Sequence, residues 1–136
     1  MNALIIVAHG SRNKESARQV SALCQKLSDK AKNLGDQDSL ARNKFDRVAY
    51  SFLQFASPGL EETIEDLVQQ GTHRIIVFPF FIAAGSHLLT DIPEAIEAAR
   101  KTYPGVAFSI TRHLGGIGAI EEIILDEVMM QLNSQE

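Results

Sequence analysis

The sequence predicts an α/β fold in which one parallel β-sheet lies between two layers of helices, a three-layer sandwich. Apolar runs typical of strands alternate with segments whose apolar residues recur at helical spacing, in the order βαβαβαβα. Two of the runs, "ALIIVA" and "HRIIVFPFFI", are apolar throughout, as in strands buried on both faces. With 136 residues, 45% of them hydrophobic, we expect a single domain over residues 1–136.

The composition of the strands predicts their order in the sheet. Residues 3–8 and 73–82 form the continuously apolar runs, so we place the first and third strands at the centre. Residues 47–55 and 106–113 mix polar and apolar side chains, as outer strands do. The resulting strand order is 2-1-3-4, the flavodoxin-like arrangement.

Helices are predicted for the four segments between and after these strands. They run from Asn13 to about Lys32, from Ser57 to Gly71, from Asp91 to Gly105, and from about Gly116 to Leu132. Ser57 is expected to cap the second helix and Pro93 to lie at the start of the third. Residues 33–44 are polar and without clear period, and are predicted as a loop.

Charge and cysteine content narrow the classes of function. The net charge is −4 without a basic cluster, which disfavours nucleic acid as the main partner. The single cysteine, Cys24, falls on the apolar face of the first helix, so we interpret it as a buried hydrophobic residue. The chain begins without a basic leader, and no apolar stretch reaches the roughly 20 residues of a membrane span. We expect a soluble cytoplasmic protein.

Two histidines follow the central strands. Ligands of this fold bind beyond the carboxyl ends of the strands, where the first and third strands lie side by side. His9 follows the first strand directly, and His87 lies just past the third. Adjacent strands are about 4.8 Å apart, so both side chains can reach one ion or ligand atom. A pair on one rim favours a functional site, although each histidine alone is equally compatible with a structural role.

The neighbours of the two histidines suit an anionic ligand. Gly10 and Ser11 follow His9, whereas Gly85 and Ser86 precede His87. Glycine permits close approach of the backbone, and hydroxyl and free N–H groups at a helix start can hold carboxylates. A phosphorylated ligand is disfavoured because the chain has no glycine-rich phosphate loop.

The two remaining histidines differ in position. His73 opens the third strand at the opposite end of the sheet and is interpreted as a solvated residue. His113 follows the fourth strand and points to the same rim as His9, one strand further out. We therefore keep His113 as a further candidate contact.

Three segments carry a family resemblance. "LIIVAHGSR", "FLQFASPGLEETIEDLVQQG" and "RIIVFPFFIAAGSHLLTDIP" resemble the small form of the sirohydrochlorin chelatases, the class II cobalt and iron chelatases of cobalamin and siroheme biosynthesis. The resemblance runs from the first strand through the helix that begins at "DIP", and "HLGGIGAIEEII" fits more loosely. It implies a lyase that works as a homodimer, each chain corresponding to half of a two-lobed chelatase.

The resemblance also implies roles for single residues. His9 and His87 would bind the metal and accept protons from the pyrrole nitrogens. Imidazole suits Co²⁺, Fe²⁺ and Ni²⁺, and it accepts a proton near neutral pH. Sirohydrochlorin is a polycarboxylate, for which Ser11, Arg12 and Ser86 are the expected anchors. No organic cofactor is implied.

Gln54 lies at the carboxyl end of the second predicted strand, beside the first. It departs from the family pattern, which commonly has an acidic residue at this position. A carboxylate there could bind metal or collect protons, and an amide does neither well. Three interpretations stay open. The two histidines suffice, or Glu15 or Glu61 takes the role, or the chain binds metal or tetrapyrrole without catalysis.

The last predicted helix is unusually apolar. One face carries Ile117, Ile120, Ile123, Ile124, Val128 and Leu132, and further apolar residues lie outside it, namely Leu125, Met129 and Met130. One apolar stripe is enough for a helix that covers its own sheet. The surplus indicates either a dimer contact or methionine-rich packing under the loop at residues 33–44.

Overall fold

The computed structural model describes residues 1–34, 45–83 and 85–134, and only the backbone at residue 34 and residues 86–89. Most of the predicted loop at residues 33–44 therefore lies outside the described residues. Among the described helices, none is long and apolar enough to cross a membrane.

The described residues form a parallel four-stranded sheet. Its strands are β1 (Asn2–Ala8), β2 (Arg47–Phe52), β3 (Arg74–Phe80) and β4 (Ala107–Ile110), in the order β2-β1-β3-β4. The predicted fold class and strand order are confirmed. The two continuously apolar runs, β1 and β3, lie in the centre because only central strands are covered on both faces.

Helices connect the strands and follow the last one. They are α1 (Lys14–Leu34), α2 (Leu60–Gln69), α3 (Ser86–Thr102) and α4 (Ala119–Ser134), with a short 3₁₀ turn at Leu114–Gly116 before α4. Each connection between parallel strands contains one helix, as parallel pairing requires.

The predicted start of α2 was wrong. The helix begins at Leu60 with Gly59 at its N-cap, and no side chain caps it, so Ser57 is not the cap. β2 ends at Phe52 rather than at residue 55. The N–H of Phe52 donates to the carbonyl of Pro58 at 2.9 Å, which holds residues 53–58 in a loop that returns to β2.

The predicted start of α3 was also wrong. The helix begins at Ser86, so Pro93 lies inside it and His87 lies in its first turn instead of a loop. Proline removes one hydrogen bond from a helix interior and costs about 3 kcal/mol or more. The helix continues through it because its inner face buries Ile92 and Ile96 completely against the sheet.

One face of the sheet is covered by α2 and α3. We call it the α2/α3 face. Its core consists of alternate strand residues and the inner residues of the two helices: Ala3, Ile5, Val7, Ile75, Val77, Phe108, Leu60, Ile64, Leu67, Ile92, Ile96 and Ala99. All of them are buried, so this face is complete within one chain.

The opposite face, which we call the α1 face, is covered less completely. Strand residues pack with Val20 and Cys24 of α1 in a smaller core. Cys24 is 4% exposed, as predicted, and burial raises the pKa of its thiol to about 11. Further along, Phe78 and Phe80 of β3 are only partly buried, and Ser109 of β4 is exposed.

Helix α4 buries none of its residues. Its apolar stripe therefore does not cover the chain's own sheet. The chain first passes through the 3₁₀ turn, whose Gly115 N–H donates to the carbonyl of Phe81 at 3.2 Å. This bond fixes the turn at the end of β3, and α4 begins only beyond it.

Candidate functional site

His9 is exposed at the carboxyl end of β1, on the rim where the sequence predicted a site. Pairing with the chain after β2 continues beyond the two strands. The N–H of Leu53 donates to the carbonyl of Ala8 at 3.1 Å, and the N–H of Gln54 donates to the carbonyl of His9 at 3.2 Å. These bonds place Gln54 beside His9, as its position after β2 predicted.

Gly10 allows this close approach. Its φ is +100°, and a Cβ atom built on it would lie 1.7 Å from the carbonyl oxygen of Gln54. Any side chain here would collide with backbone and strain its own conformation. The glycine after His9 therefore keeps two loops in contact at the edge of the sheet.

The side chains of His9 and Gln54 are also in contact. The Gln54 Nε2 atom lies 3.1 Å from His9 Nε2 and 3.4 Å from His9 Nδ1. His9 Nδ1 lies 3.2 Å from the carbonyl oxygen of Gly10. Because a carbonyl only accepts, Nδ1 carries the hydrogen in this arrangement and Nε2 keeps its lone pair. The Gln54 amide nitrogen is close to both ring nitrogens, so it lies against the ring and not on the outward line of the Nε2 lone pair.

This tautomer has a chemical consequence. An imidazole with a free Nε2 lone pair is the form that binds a metal ion or accepts a proton. The Gln54 amide lies against the ring and does not occupy the outward direction of that lone pair, along which a metal ion would bind. An amide donor fits a neutral imidazole, whereas a carboxylate at this position would favour hydrogen on Nε2.

The start of α1 supplies polar groups next to His9. The hydroxyl of Ser11 accepts a hydrogen bond from the N–H of Asn13 at 3.0 Å, and the Asn13 side chain accepts one from the N–H of Glu15 at 2.9 Å. Asn13 therefore caps the helix. The hydroxyl hydrogen of Ser11 is not used in that contact and can be donated to a ligand.

Arg12 contacts an aromatic ring near the same edge of the sheet. Its guanidinium carbon lies 4.8 Å from the ring centroid of Phe55, the residue after Gln54. Phe55 has a φ of +65° and is 57% exposed. Sequence reasoning missed Phe55, because a single sequence carries no signal for a positive φ at a phenylalanine.

His113 lies after β4 and is partly buried. Its ring stacks on Phe81, with centroids 6.0 Å apart and planes at 26°. A Cβ atom on Gly116 would lie 3.1 Å from its Cε1, so the ring is packed on a second side. His73 lies at the opposite end of the sheet, exposed and 2.6 Å from the amino group of Met1, as predicted for a residue remote from the site.

The predicted pairing of His9 with His87 stays a prediction. Gly85 is the N-cap of α3, and the side chains of Ser86 and His87 lie outside the described residues. Within the described part of the chain, no three residues of the types His, Cys, Asp and Glu form a group that could hold a metal ion.

Neither predicted substitute for the acidic residue joins His9 in such a group. Glu15 pairs with Arg18 at 3.4 Å on the exposed side of α1. Glu61 lies in the first turn of α2 and lines a cleft between α2 and α3, next to Ile64 and Tyr103.

Comparison with known proteins identifies the family. The CbiX family matches residues 3–130. This chain belongs to the CbiX family. Over 98% of its length it is 32% identical to the sirohydrochlorin cobaltochelatase of Sulfurisphaera tokodaii, of which it covers 97%.

Other relatives are longer than this chain. The chloroplastic sirohydrochlorin ferrochelatase of Arabidopsis thaliana is 28% identical over 99% of the chain, and the sirohydrochlorin ferrochelatase of Priestia megaterium is 31% identical over 98%. The chain covers 55% and 44% of these two proteins, about half of each.

Solved structures show the same fold. A CbiX protein from Marinobacter aquaeolei superposes over 98% of this chain with a TM-score of 0.76 at 23% identity. SirB from Bacillus subtilis with Fe³⁺ gives a TM-score of 0.64 at 28% identity, covering 82% of this chain and 40% of SirB. The sirohydrochlorin chelatase SirB in complex with cobalt gives 0.65.

Proposed function

We propose that this protein inserts Co²⁺ or Fe²⁺ into sirohydrochlorin. The observation that carries the proposal is the exposed His9, whose Nε2 lone pair is presented at the carboxyl end of a central strand. Support comes from the family relationship, since the similar Sulfurisphaera tokodaii protein is a sirohydrochlorin cobaltochelatase that this chain matches almost from end to end.

The chemistry requires a base and a metal ligand at one place. The divalent ion enters the ring as two pyrrole N–H groups lose their protons, so each turnover releases two protons. The Nε2 lone pair of His9 can hold the metal ion or accept a proton, one at a time. In the proposed sequence His9 passes the ion to the ring nitrogens and the freed lone pair then takes a pyrrole proton. His87 does the same from the neighbouring strand end.

Gln54 is assigned a supporting role in this scheme. Its uncharged amide lies against the His9 ring, 3.1 Å from Nε2, and fits the neutral imidazole that binds metal. Because the amide does not lie on the line of the Nε2 lone pair, the arriving ion does not have to displace it. The two histidines then suffice without the acidic residue common in the family.

Carboxylates of the substrate are bound by groups around His9 in this proposal. Arg12 supplies a cation, the Ser11 hydroxyl supplies a donor, and Gly10 and Gly85 lie close to the starts of α1 and α3, whose positive ends favour carboxylates. The chain carries a net charge of −4, so attraction for a polyanion must come from such local groups. Ser86 and His113 are proposed as further contacts from the β3 and β4 side.

We further propose that the protein acts as a homodimer in the cytoplasm, where its single buried cysteine stays reduced. Helix α4 leaves seven large apolar side chains 48–66% exposed: Ile123, Ile124, Leu125, Val128, Met129, Met130 and Leu132. The α1 face of the sheet leaves Phe78 and Phe80 of β3 partly open. Two incompletely covered apolar surfaces on one chain favour association.

A second copy is the partner that the chain length favours. This chain covers about half of the two ferrochelatases and nearly all of the Sulfurisphaera tokodaii cobaltochelatase. Two copies together therefore supply as much chain as one of the longer relatives. In this proposal α4 of each copy packs on its partner.

Steady-state metal insertion tests the proposed function. Metal-free sirohydrochlorin is mixed with Co²⁺, Fe²⁺ or Ni²⁺, and the absorbance change of the macrocycle is followed over many equivalents of substrate. The parent protein is expected to turn over repeatedly with Co²⁺ or Fe²⁺. His9→Ala and His87→Ala should each lower kcat/KM at least about a hundredfold, the usual contribution of a positioned acid–base group.

The chain provides a matched control for this experiment. His73 is exposed at the opposite end of the sheet, so His73→Ala should keep the parent rate. A stoichiometric absorbance change without turnover would instead identify a binding protein. Equal rates for the parent, His9→Ala and His87→Ala would show that neither histidine takes part in the reaction.

A further inference from the structure

Phe55 has an unfavourable backbone conformation. Its φ of +65° lies in the left-handed region, which a bulky residue rarely adopts and in which glycine is not penalised. The other non-glycine residues of the described chain all have negative φ. A strained residue persists where the surrounding structure or a function maintains it.

Burial does not explain why a phenylalanine occupies this position. The ring is 57% exposed, whereas nearby Phe52 is 3% exposed and belongs to the core on the α1 face. The ring contact described for Phe55 is the guanidinium of Arg12 at 4.8 Å. An exposed cation–π contact of this kind contributes only about 0.5–1 kcal/mol.

The position of the ring points to a ligand. Phe55 follows Gln54, whose amide is 3.1 Å from His9 Nε2. Arg12 has no ion-pair partner among the described residues. A half-exposed aromatic ring and a cation without an ion-pair partner among the described residues therefore lie together, one residue from the amide that contacts the His9 imidazole.

We propose that Phe55 is a stacking platform for the tetrapyrrole, with Arg12 pairing one of its peripheral carboxylates. This inference rests on the proposed function. A conjugated macrocycle is flat, and aromatic rings stack on such surfaces in offset geometry. Arg12 covers part of the phenylalanine ring and keeps its N–H groups available for a carboxylate, so one substrate engages both residues. The loop that carries Phe55 follows β2, which pairs with β1, the strand that His9 follows.

Substrate binding without metal tests the platform directly. Metal-free sirohydrochlorin is titrated into Phe55→Ala, Phe55→Leu and Phe55→Trp, and Kd is measured by fluorescence. Loss of a stacked ring should raise Kd about tenfold in the alanine and leucine variants. The tryptophan variant should bind like the parent. In turnover, KM should rise with Kd, while kcat should stay within about twofold of the parent value.

Phe55→Gly separates binding from folding. Glycine adopts a φ of +65° without strain, so its Tm should be at least that of the parent, while Kd for sirohydrochlorin should rise as in the alanine variant. A ring that served only the fold would give the opposite result, a lower Tm with an unchanged Kd. That result would overturn the platform.

The outcomes distinguish the platform from the chelatase activity. If the parent turns over and Kd is unchanged in Phe55→Ala and Phe55→Leu, the platform is refuted and the proposed chelatase activity is supported. A parent that binds sirohydrochlorin in a Phe55-dependent manner without turnover supports the platform and refutes the chelatase. A parent that does not bind sirohydrochlorin refutes both.

Discussion

The edge of the sheet at His9 and the helix α4 differ in how completely one chain determines them. At the edge, backbone hydrogen bonds from Leu53 and Gln54, the close approach at Gly10 and the His9–Gln54 contact fix the position of each group. Helix α4 has no buried residue and exposes apolar side chains over most of its length. The groups at the edge are therefore positioned within one copy, whereas the described residues of the same chain leave α4 uncovered.

Replacing Gly10 should give the largest effect, because it disrupts the edge of the sheet at His9. Gly10→Ala places a methyl group against the Gln54 carbonyl and forces alanine to a φ of +100°. Overpacking and backbone strain together should lower the free energy of unfolding by about 3 kcal/mol. Metal insertion should fall as well, because His9 and Gln54 separate. Denaturant unfolding and the insertion assay measure the two effects.

A second glycine provides the control for that prediction. Apart from Gly118 and its two neighbours in the chain, no atom of the described residues lies within 4 Å of the point that a Cβ atom on Gly118 would occupy, and the φ of Gly118 is not positive. Gly118→Ala should therefore be nearly neutral. Equal stability of the two variants would show that the approach at Gly10 is not restrictive.

A charge on α4 should disrupt the proposed dimer contact without unfolding the chain. Met130 is 66% exposed in a single copy. The charge introduced by Met130→Glu is therefore solvated in a single copy, whereas in the proposed dimer it would be buried against apolar surface at an energetic cost. We expect the mass from light scattering to fall from that of two chains to that of one. The adjacent residue allows a charge-matched control, Gln131→Glu, which should remain dimeric. A parent of single-chain mass would refute the dimer.

Changing Gln54 to glutamate tests whether a metal ion binds beside His9 and residue 54. A carboxylate beside His9 adds a negative charge and a metal ligand where the amide only donates. Gln54→Glu should tighten Co²⁺ binding about tenfold, as measured by calorimetric titration of the protein without tetrapyrrole. Gln19→Glu on the exposed side of α1 adds the same charge away from His9 and should leave the affinity unchanged. Weaker binding in Gln54→Glu would contradict the proposed geometry.

The smallest effect is expected for an apolar residue of α4 in a single copy. Ile123 is 58% exposed, so Ile123→Ala in the Met130→Glu background should change the free energy of unfolding by less than about 0.5 kcal/mol. In the dimeric parent the same substitution should cost more, because the side chain would be buried there. Equal, small costs in both backgrounds would mean that the dimer does not bury this side chain.

The sequence was sufficient to predict the sheet, since continuous apolarity marks the two central strands. It was less reliable for helix starts. Ser57 had the residue type of a cap, and Pro93 had the residue type of a first turn, but tertiary contacts decided both cases. The bond from Phe52 to Pro58 delays α2, and burial of Ile92 and Ile96 extends α3 through the proline.

The positions of the candidate site residues could be predicted from the sequence, whereas the details of their contacts could not. Strand ends placed His9 and Gln54 side by side, because residues that follow neighbouring parallel strands share one edge of the sheet. The tautomer of His9 and the exposed ring of Phe55 depend on loop conformation and hydrogen-bond geometry. Residue type and spacing do not encode such details.

The order of the elements along the chain has a consequence for biosynthesis. A ribosome delivers β1, β2 and the loop that holds Gln54 before α4, so the contacts around His9 involve only residues made before the apolar helix. Helix α4 is made after the four strands, and the described residues leave its apolar side chains uncovered. In the proposed dimer, each new chain exposes this apolar helix until it meets another copy, so a low concentration of finished chains should increase its dependence on chaperones.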